Sequence, residues 1–293
     1  MATLRETRNR IVAIRNTSKI TQAMRMVAAA KLRRAQEAST LARPFAKQLE
    51  KILRNLASAE TDLVHPYFEG RKDVQSIVLV VMSSDRGLCG AFNTNLFRSV
   101  RHRLDKLAEQ YPQAQVRIVA VGRKASAHYS KSELELMESY PEAFFKLSYT
   151  TASDIAELTS DAFLAHRADR IELMYNEFIS VIKYEVRTLQ LLPIQPVATD
   201  ASAHGNVEYI FEPTKADILD SLLPKYLNTQ VWRALLDSNA AEQAARMVAM
   251  ENATTNARDL MNALQLVYNR ERQAAITKEM LEIVGGAEAL SAS

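Results

Sequence analysis

Between Lys225 and Val284 the chain runs sixty residues without a glycine or a proline, and Met1 to Arg43 lacks both as well. At ordinary usage a run of that length arises by chance about once in two thousand windows. With the two strongest helix breakers absent, both ends read as very long helices. The second stretch alone would be about 90 Å long as a continuous helix. A globule of this chain length has a radius of gyration of about 19 Å and a diameter of roughly 50 Å. Such a helix must project, and its apolar side needs a partner, because helical stability in proteins comes mostly from tertiary packing.

The other end of the same chain is the nearest candidate. Thr3 and Glu6 fit a capping box at a helix start. From there small or apolar residues recur every seven positions, at Ile14, Thr21, Ala28, Ala35, Ala42, Leu49 and Leu56, flanked by Ile11, Met24, Leu32, Phe45 and Ile52. Pro44 is expected to kink this helix without ending it, since the stripe resumes beyond it. A matching line near the carboxyl end comprises Ala240, Met247, Thr254, Met261, Tyr268 and Ala275. Alanine and threonine at seam positions imply closely approaching helices. An antiparallel coiled coil of the two ends is the simplest reading; the alternative is that each seam packs on another protein.

The middle changes character. Ser76 to Ser83 and Val116 to Val121 are β-branched runs typical of buried strands, with a helical Leu96 to Gln110 between them. That order predicts a parallel pair with a right-handed crossover. Ala152 to Ala165 reads as a helix with Ser153 and Asp154 near its start. Arg170 to Tyr175 and Ser180 to Leu191 read as two further strands pairing as a hairpin. Pro193, Pro196 and Thr199 to Asn206 read as a linker, and Thr214 with Asp217 opens the last helical region, with Pro224 near a turn or first-turn position.

The formal charge of +3 becomes informative only when divided along the chain. Met1 to Arg43 carries ten basic residues against Glu6 and Glu37, whereas Lys225 to Ser293 is close to neutral. The basic helix therefore calls for an acidic partner surface. Nucleic acid is a weaker reading, since no aromatics interleave with the basic residues. The longest apolar run, Ile77 to Met82, is far short of the roughly 20 residues of a membrane span. No secretory signal is evident at the amino terminus. The single cysteine, Cys89, excludes an internal disulfide and fits a reducing compartment.

Candidate chemistry is sparse. Asp85-Arg86-Gly87-Leu88-Cys89-Gly90 follows the first strand, where α/β folds often bind phosphates, yet it matches neither nucleotide fingerprint. A tight strand-to-helix turn is the preferred reading, with Cys89 a quiet thiol. His65, His102, His128, His166 and His204 are dispersed, with no metal-ligand spacing. Nothing in the residues proposes an enzyme, a cofactor or a metal. At the carboxyl tip, apolar and small residues crowd the end of a helix that would otherwise stand in solvent. Such a tip implies a socket; the alternative is that the chain folds back after Gly285-Gly286 and frays.

Three separated segments carry a resemblance: Lys19 to Lys31 (KITQAMRMVAAAK), Ser84 to Asn93 (SDRGLCGAFN) and Arg272 to Leu290 (RQAAITKEMLEIVGGAEAL). Together they closely resemble the gamma subunits of F-type ATP synthases, of the bacterial type, in order over essentially the whole chain. The resemblance implies an α/β fold with long helices. An antiparallel coiled coil of the N- and C-terminal helices (1–58 and 208–290) would join a central Rossmann-like α/β domain (74–195) with a mixed five-stranded sheet. It implies a non-catalytic rotor shaft inside a ring of three alpha and three beta subunits, with epsilon and the membrane c-ring as further partners. No cofactor is implied, and no nucleic acid. The location implied is peripheral, at the cytoplasmic face of the bacterial inner membrane.

By residue-level match, Arg272 and Gln273 resemble the family's polar catch on beta-subunit loops, with Thr277 close by. Arg246 and Met24 match its coupling surface, with Lys19 and Arg25 at the same level. Ile283, Val284 and Leu290 resemble the sleeve-bound tip. Arg25 departs from relatives that carry an acid at that position.

Overall fold

The computed structural model describes residues 3–58, 65–71, 73–195 and 214–291. Both long helices form: α1 spans Leu4–Ser58 and α5 spans Lys215–Ser291. The capping box is made as the sequence predicts, with Thr3 N donating to Glu6 Oε2 at 2.8 Å and Glu6 N to Thr3 Oγ1 at 3.3 Å. Thr214 opens α5 in the same manner, accepting from Asp217 N at 3.2 Å. Pro44 lies inside α1, as expected. Pro224 also lies well inside α5 and not in its first turn, so this helix absorbs a proline in its interior. Gly285 and Gly286 are helical too, which corrects the fold-back alternative. The tract Thr199 to Asn206 lies outside the described residues.

Two compact units divide the chain: residues 1–28 with 247–293, and residues 29–246. The larger unit holds a sheet of β1 (Ser76–Met82), β2 (Gln115–Val121), β3 (Glu135–Tyr140), β4 (Arg170–Ser180) and β5 (Lys183–Leu192), in the order β3-β2-β1-β4-β5. The first four are parallel and β5 returns antiparallel on β4, giving a mixed five-stranded sheet. The expected hairpin is present, with β4 reaching Ser180 and β5 starting at Lys183. Helices α2 (Phe92–Gln110), α3 (Arg123–Tyr129) and α4 (Tyr149–Leu164) complete the unit. Ser148, not Ser153 or Asp154, caps α4, accepting from Thr151 N.

The continuous apolar run of β1 is explained by burial on both faces. Successive side chains alternate, so Val78, Val80 and Met82 join one core with α4 and the first half of α5. Ile77, Leu79 and Val81 join the other, with Leu96, Val100 and Leu107 of α2 and Ala125 and Tyr129 of α3. Within this unit α5 is covered on nearly all sides from Ala234 to Ala244, as expected of a helix segment rich in alanine and leucine all round.

Along α1 the buried positions hold the seven-residue period more strictly than apolarity suggests. Ala28, Ala35 and Leu49 are buried as expected. The flanking line departs from expectation: Phe45 and Ile52 are exposed, and Ser39, Ala46 and Leu53 are buried instead. Counting back from Leu53 in sevens gives Ala46, Ser39 and Leu32, all buried, then the half-buried Arg25 and Ser18, and the buried Ile11, a line that accepts polar residues. Ser39 earns its place through a hydrogen bond to Asp237 Oδ1 at 3.1 Å.

Candidate functional site

In the smaller unit, α1 and α5 run antiparallel. As α1 advances from Thr7 through Thr21 to Arg25, its partners on α5 retreat from Glu271 through Thr254 to Glu251. Thr7 Oγ1 donates to Glu271 Oε2 at 3.5 Å, the Thr21 and Thr254 hydroxyls meet at 2.7 Å, and Arg25 Nη1 reaches Glu251 Oε2 at 2.6 Å. Ile11, Ala28, Met250 and Thr254 are buried in this seam. The small side chains permit close approach, and the two hydroxyls share their two protons among three contacts: one back-bonds its own helix, at Ser18 O or Met250 O, while the other donates across the seam.

Past Glu271 little of α1 remains, and α5 continues alone. From residue 276 to 287 every described side chain is exposed. Ile276, Met280, Ile283 and Val284 are between 46% and 72% exposed, and their spacing places them on one helix face. Among the described residues this apolar stripe has no partner, and Lys278 and Glu282 pair beside it.

In the larger unit Asp85–Gly90 lies in the tight connection from β1 to α2, as the sequence predicts. Neighbouring strands β2 and β4 flank β1, so the chain switches direction here, the place where open α/β sheets usually bind ligands. Asp85 accepts from Arg123 N and from Phe144 N, each at 3.0 Å. Burial pushes the Asp85 carboxyl above its ordinary value, against the opposing pull of these amides. Gly122, at φ +92°, packs so tightly that a Cβ would stand 2.3 Å from the Ser83 carbonyl oxygen. Ser84 and Asn93 tie the turn together, Ser84 N donating to Asn93 Oδ1 at 3.0 Å. Leu88 and Gly90 both take left-handed dihedrals. Cys89 is buried, and burial raises its thiol pKa, which fits a quiet cysteine.

Among the described residues, no group of three His, Cys, Asp or Glu side chains could hold a metal ion. No described helix is long and apolar enough to cross a membrane.

The family model described as ATP synthase matches residues 3–290. An ATP synthase gamma chain of Chlorobaculum parvum is 45% identical over 99% of this chain and 99% of its own length. The chain belongs to the ATP synthase gamma-chain family. That of Chloroherpeton thalassium is 42% identical over the full length of both. Among solved structures, a chain of the central stalk and c-ring of the Tetrahymena thermophila mitochondrial ATP synthase is 29% identical, with a TM-score of 0.58. It covers 80% of this chain, which in turn covers 99% of it. A chain of the Euglena gracilis mitochondrial ATP synthase, at 20% identity and TM-score 0.65, shares the fold over 99% of this chain and 95% of its own.

As a gamma chain it is the non-catalytic central stalk of the F1 sector, the rotor that couples proton translocation to ATP synthesis and hydrolysis. The residues matched to the family lie in different settings. Lys19, Arg272, Gln273, Thr277, Ile283 and Val284 are exposed in the smaller unit. Met24 and Arg25 are half-buried, Arg25 being paired with Glu251. The Leu290 side chain lies outside the described residues. Arg246 belongs to the larger unit and faces inward: it donates to Arg86 O at 3.1 Å and Gly87 O at 3.3 Å and pairs with Glu242 at 2.7 Å. Sequence matching overlooked Glu242, whose partner four residues on was the available signal.

Proposed function

We propose that this gamma chain turns inside a ring of three alpha and three beta subunits, with epsilon and the c-ring at its base, on the cytoplasmic face of a bacterial inner membrane. Residues 1–58 and 208–290 serve as the coiled-coil shaft and 74–195 as the base domain. The apolar stripe from Ile276 to Val284 carries this reading: it has no partner on α1, and a surrounding sleeve would cover it. Leu290 belongs to the same bearing by its match to the family.

The mechanism is one of linkage. A shaft without threefold symmetry offers each beta subunit a different face, so it stabilises three different site conformations at once. Rotation exchanges the faces and with them each site's affinity for nucleotide. Contacts must be unequal around the axis, and none so strong that it stalls the turn. Arg272 and Gln273 act as a polar catch, with Thr277 one turn on, its hydroxyl donating to Gln273 O at 3.0 Å. Lys19, Met24 and Arg25 form the coupling surface toward an acidic segment of beta, in keeping with the basic excess of α1.

The test is the pair Arg272→Ala with Gln273→Ala in the assembled complex. Both side chains are exposed, so folding is expected to be retained while proton-driven ATP synthesis falls. Unchanged synthesis in membrane vesicles would refute the catch.

A further inference from the structure

Arg246 is only 11% exposed at its side chain, and Glu242 5%. The guanidinium binds two successive carbonyls of the turn after β1, those of Arg86 and Gly87, and its Nη1 reaches Gln243 Oε1 at 3.4 Å. A cation buried this far needs a counter-charge, and Glu242, one helical turn back on α5, provides it at 2.7 Å. The turn itself is already rigid. Asp85 holds the amides of Arg123 and Phe144, and Asn93 holds Ser84. Around this polar knot, Cys89 and Phe92 of the turn and helix start pack on Ala241 and Ala245 of α5. These alanines contribute little area, so apolar packing here resists sliding or twisting of α5 only weakly. Directional hydrogen bonds to two fixed carbonyls resist it well.

We propose that Glu242 is a positioning residue for energy coupling: it holds Arg246 across the Arg86–Gly87 turn and so keys α5 to the carboxyl edge of the sheet. The inference rests on the central-stalk reading, in which torque must pass between the base domain and α5. Arg246 accordingly acts through the chain's own backbone. It departs in this from its assignment, by resemblance, to a contact with a partner subunit.

The experiment uses the assembled complex carrying Glu242→Gln, Arg246→Gln, both together, or Glu242→Asp. Two quantities are read: protons pumped per ATP hydrolysed, and hydrogen exchange across residues 84–93. Loss of one charge-assisted hydrogen bond should speed exchange of that segment by about tenfold. Glu242→Gln and Arg246→Gln should each lower pumping per ATP, and the double variant should be no worse than the worse single. Glu242→Asp keeps the carboxylate and should recover most of both readouts; a defect as large as that of Glu242→Gln would assign the role to packing and overturn the proposal. It is also overturned if Arg246→Gln lowers pumping while Glu242→Gln leaves pumping and exchange as in the wild type, since Arg246 would then act on a partner. If Glu242→Gln does not assemble, exchange in Arg246→Gln and Glu242→Asp decides alone, and wild-type rates in Arg246→Gln refute the latch. Failure of the central-stalk reading is distinct: the wild-type complex itself would then pump no protons on ATP hydrolysis, whatever the exchange rates.

Discussion

Glu172 is the most consequential charge in the larger unit, and replacing it with glutamine should cost about 3 kcal/mol. The residue is 1% exposed on β4 and accepts from Arg103 Nε at 2.7 Å, Arg103 Nη2 at 2.5 Å and Arg170 Nε at 2.6 Å. Removing one partner of a buried ion pair typically costs about 3–5 kcal/mol, because the remaining charge is left uncompensated. Here two guanidiniums would remain, but each is about a fifth exposed and can partly rehydrate, which places the cost at the lower end. For a unit of this size each kcal/mol lowers the melting temperature by about 2–4 °C, so a drop of about 6–12 °C is expected.

The pH dependence gives an independent check. Burial alone would raise the Glu172 pKa, but the hydrogen bonds from Arg103 and Arg170 outweigh it and hold the carboxyl below its ordinary value of 4.5. With the folded pKa below the unfolded one, the native state binds fewer protons in the intervening window. The contribution of Glu172 is therefore fully present above pH 4.5 and is lost as pH falls through the depressed value. Thermal and urea unfolding of the full chain, wild type against Glu172→Gln, should show the largest gap at neutral pH and a narrowing gap in acid. A neutral-pH loss under about 1 kcal/mol, or a gap that persists unchanged in acid, would refute the reasoning.

Two further substitutions probe the frame around the sites. Gly122→Ala places a methyl against the Ser83 carbonyl at a left-handed dihedral, and should lower stability by about 3 kcal/mol in urea unfolding; a neutral result would mean the turn can shift. Thr254→Val removes the hydroxyl facing Thr21 while Thr21 is left to donate to Ser18 O, so a loss of about 1 kcal/mol is expected by circular-dichroism melting.

Much of the fold was legible because its signals are local. Both helix caps, the Gly- and Pro-free runs, the β-branched strands β1 and β2 and the β4–β5 hairpin each rest on residues near one another in sequence. Two elements carried no such signal individually. Strand β3 (ELMESY) is short and half polar, and α3 (RKASAHY) is too short to show a helical stripe. The flanking seam was misread for a different reason. Apolar periodicity favours Phe45 and Ile52, whereas the buried line runs through Ser39, which is stabilised by Asp237 at a sequence separation of 198. Arg246 was found by matching the family's pattern, yet its orientation depends on backbone carbonyls of Arg86 and Gly87, and carbonyls leave no trace in side-chain identity.

The polar contacts of the coiled coil bear on axial alignment. A seam of alanine and threonine fits its partner almost as well when one helix slides by a heptad, a displacement of about 10.5 Å. Such a slip would separate Thr21 from Thr254 and Thr7 from Glu271, and would split Arg25 from Glu251. Three contacts spread from Thr7 to Arg25 of α1 thus work like the graduations of a vernier, with a single setting at which all coincide. The reach of the solitary α5 tip beyond the start of α1 is thereby fixed to one length.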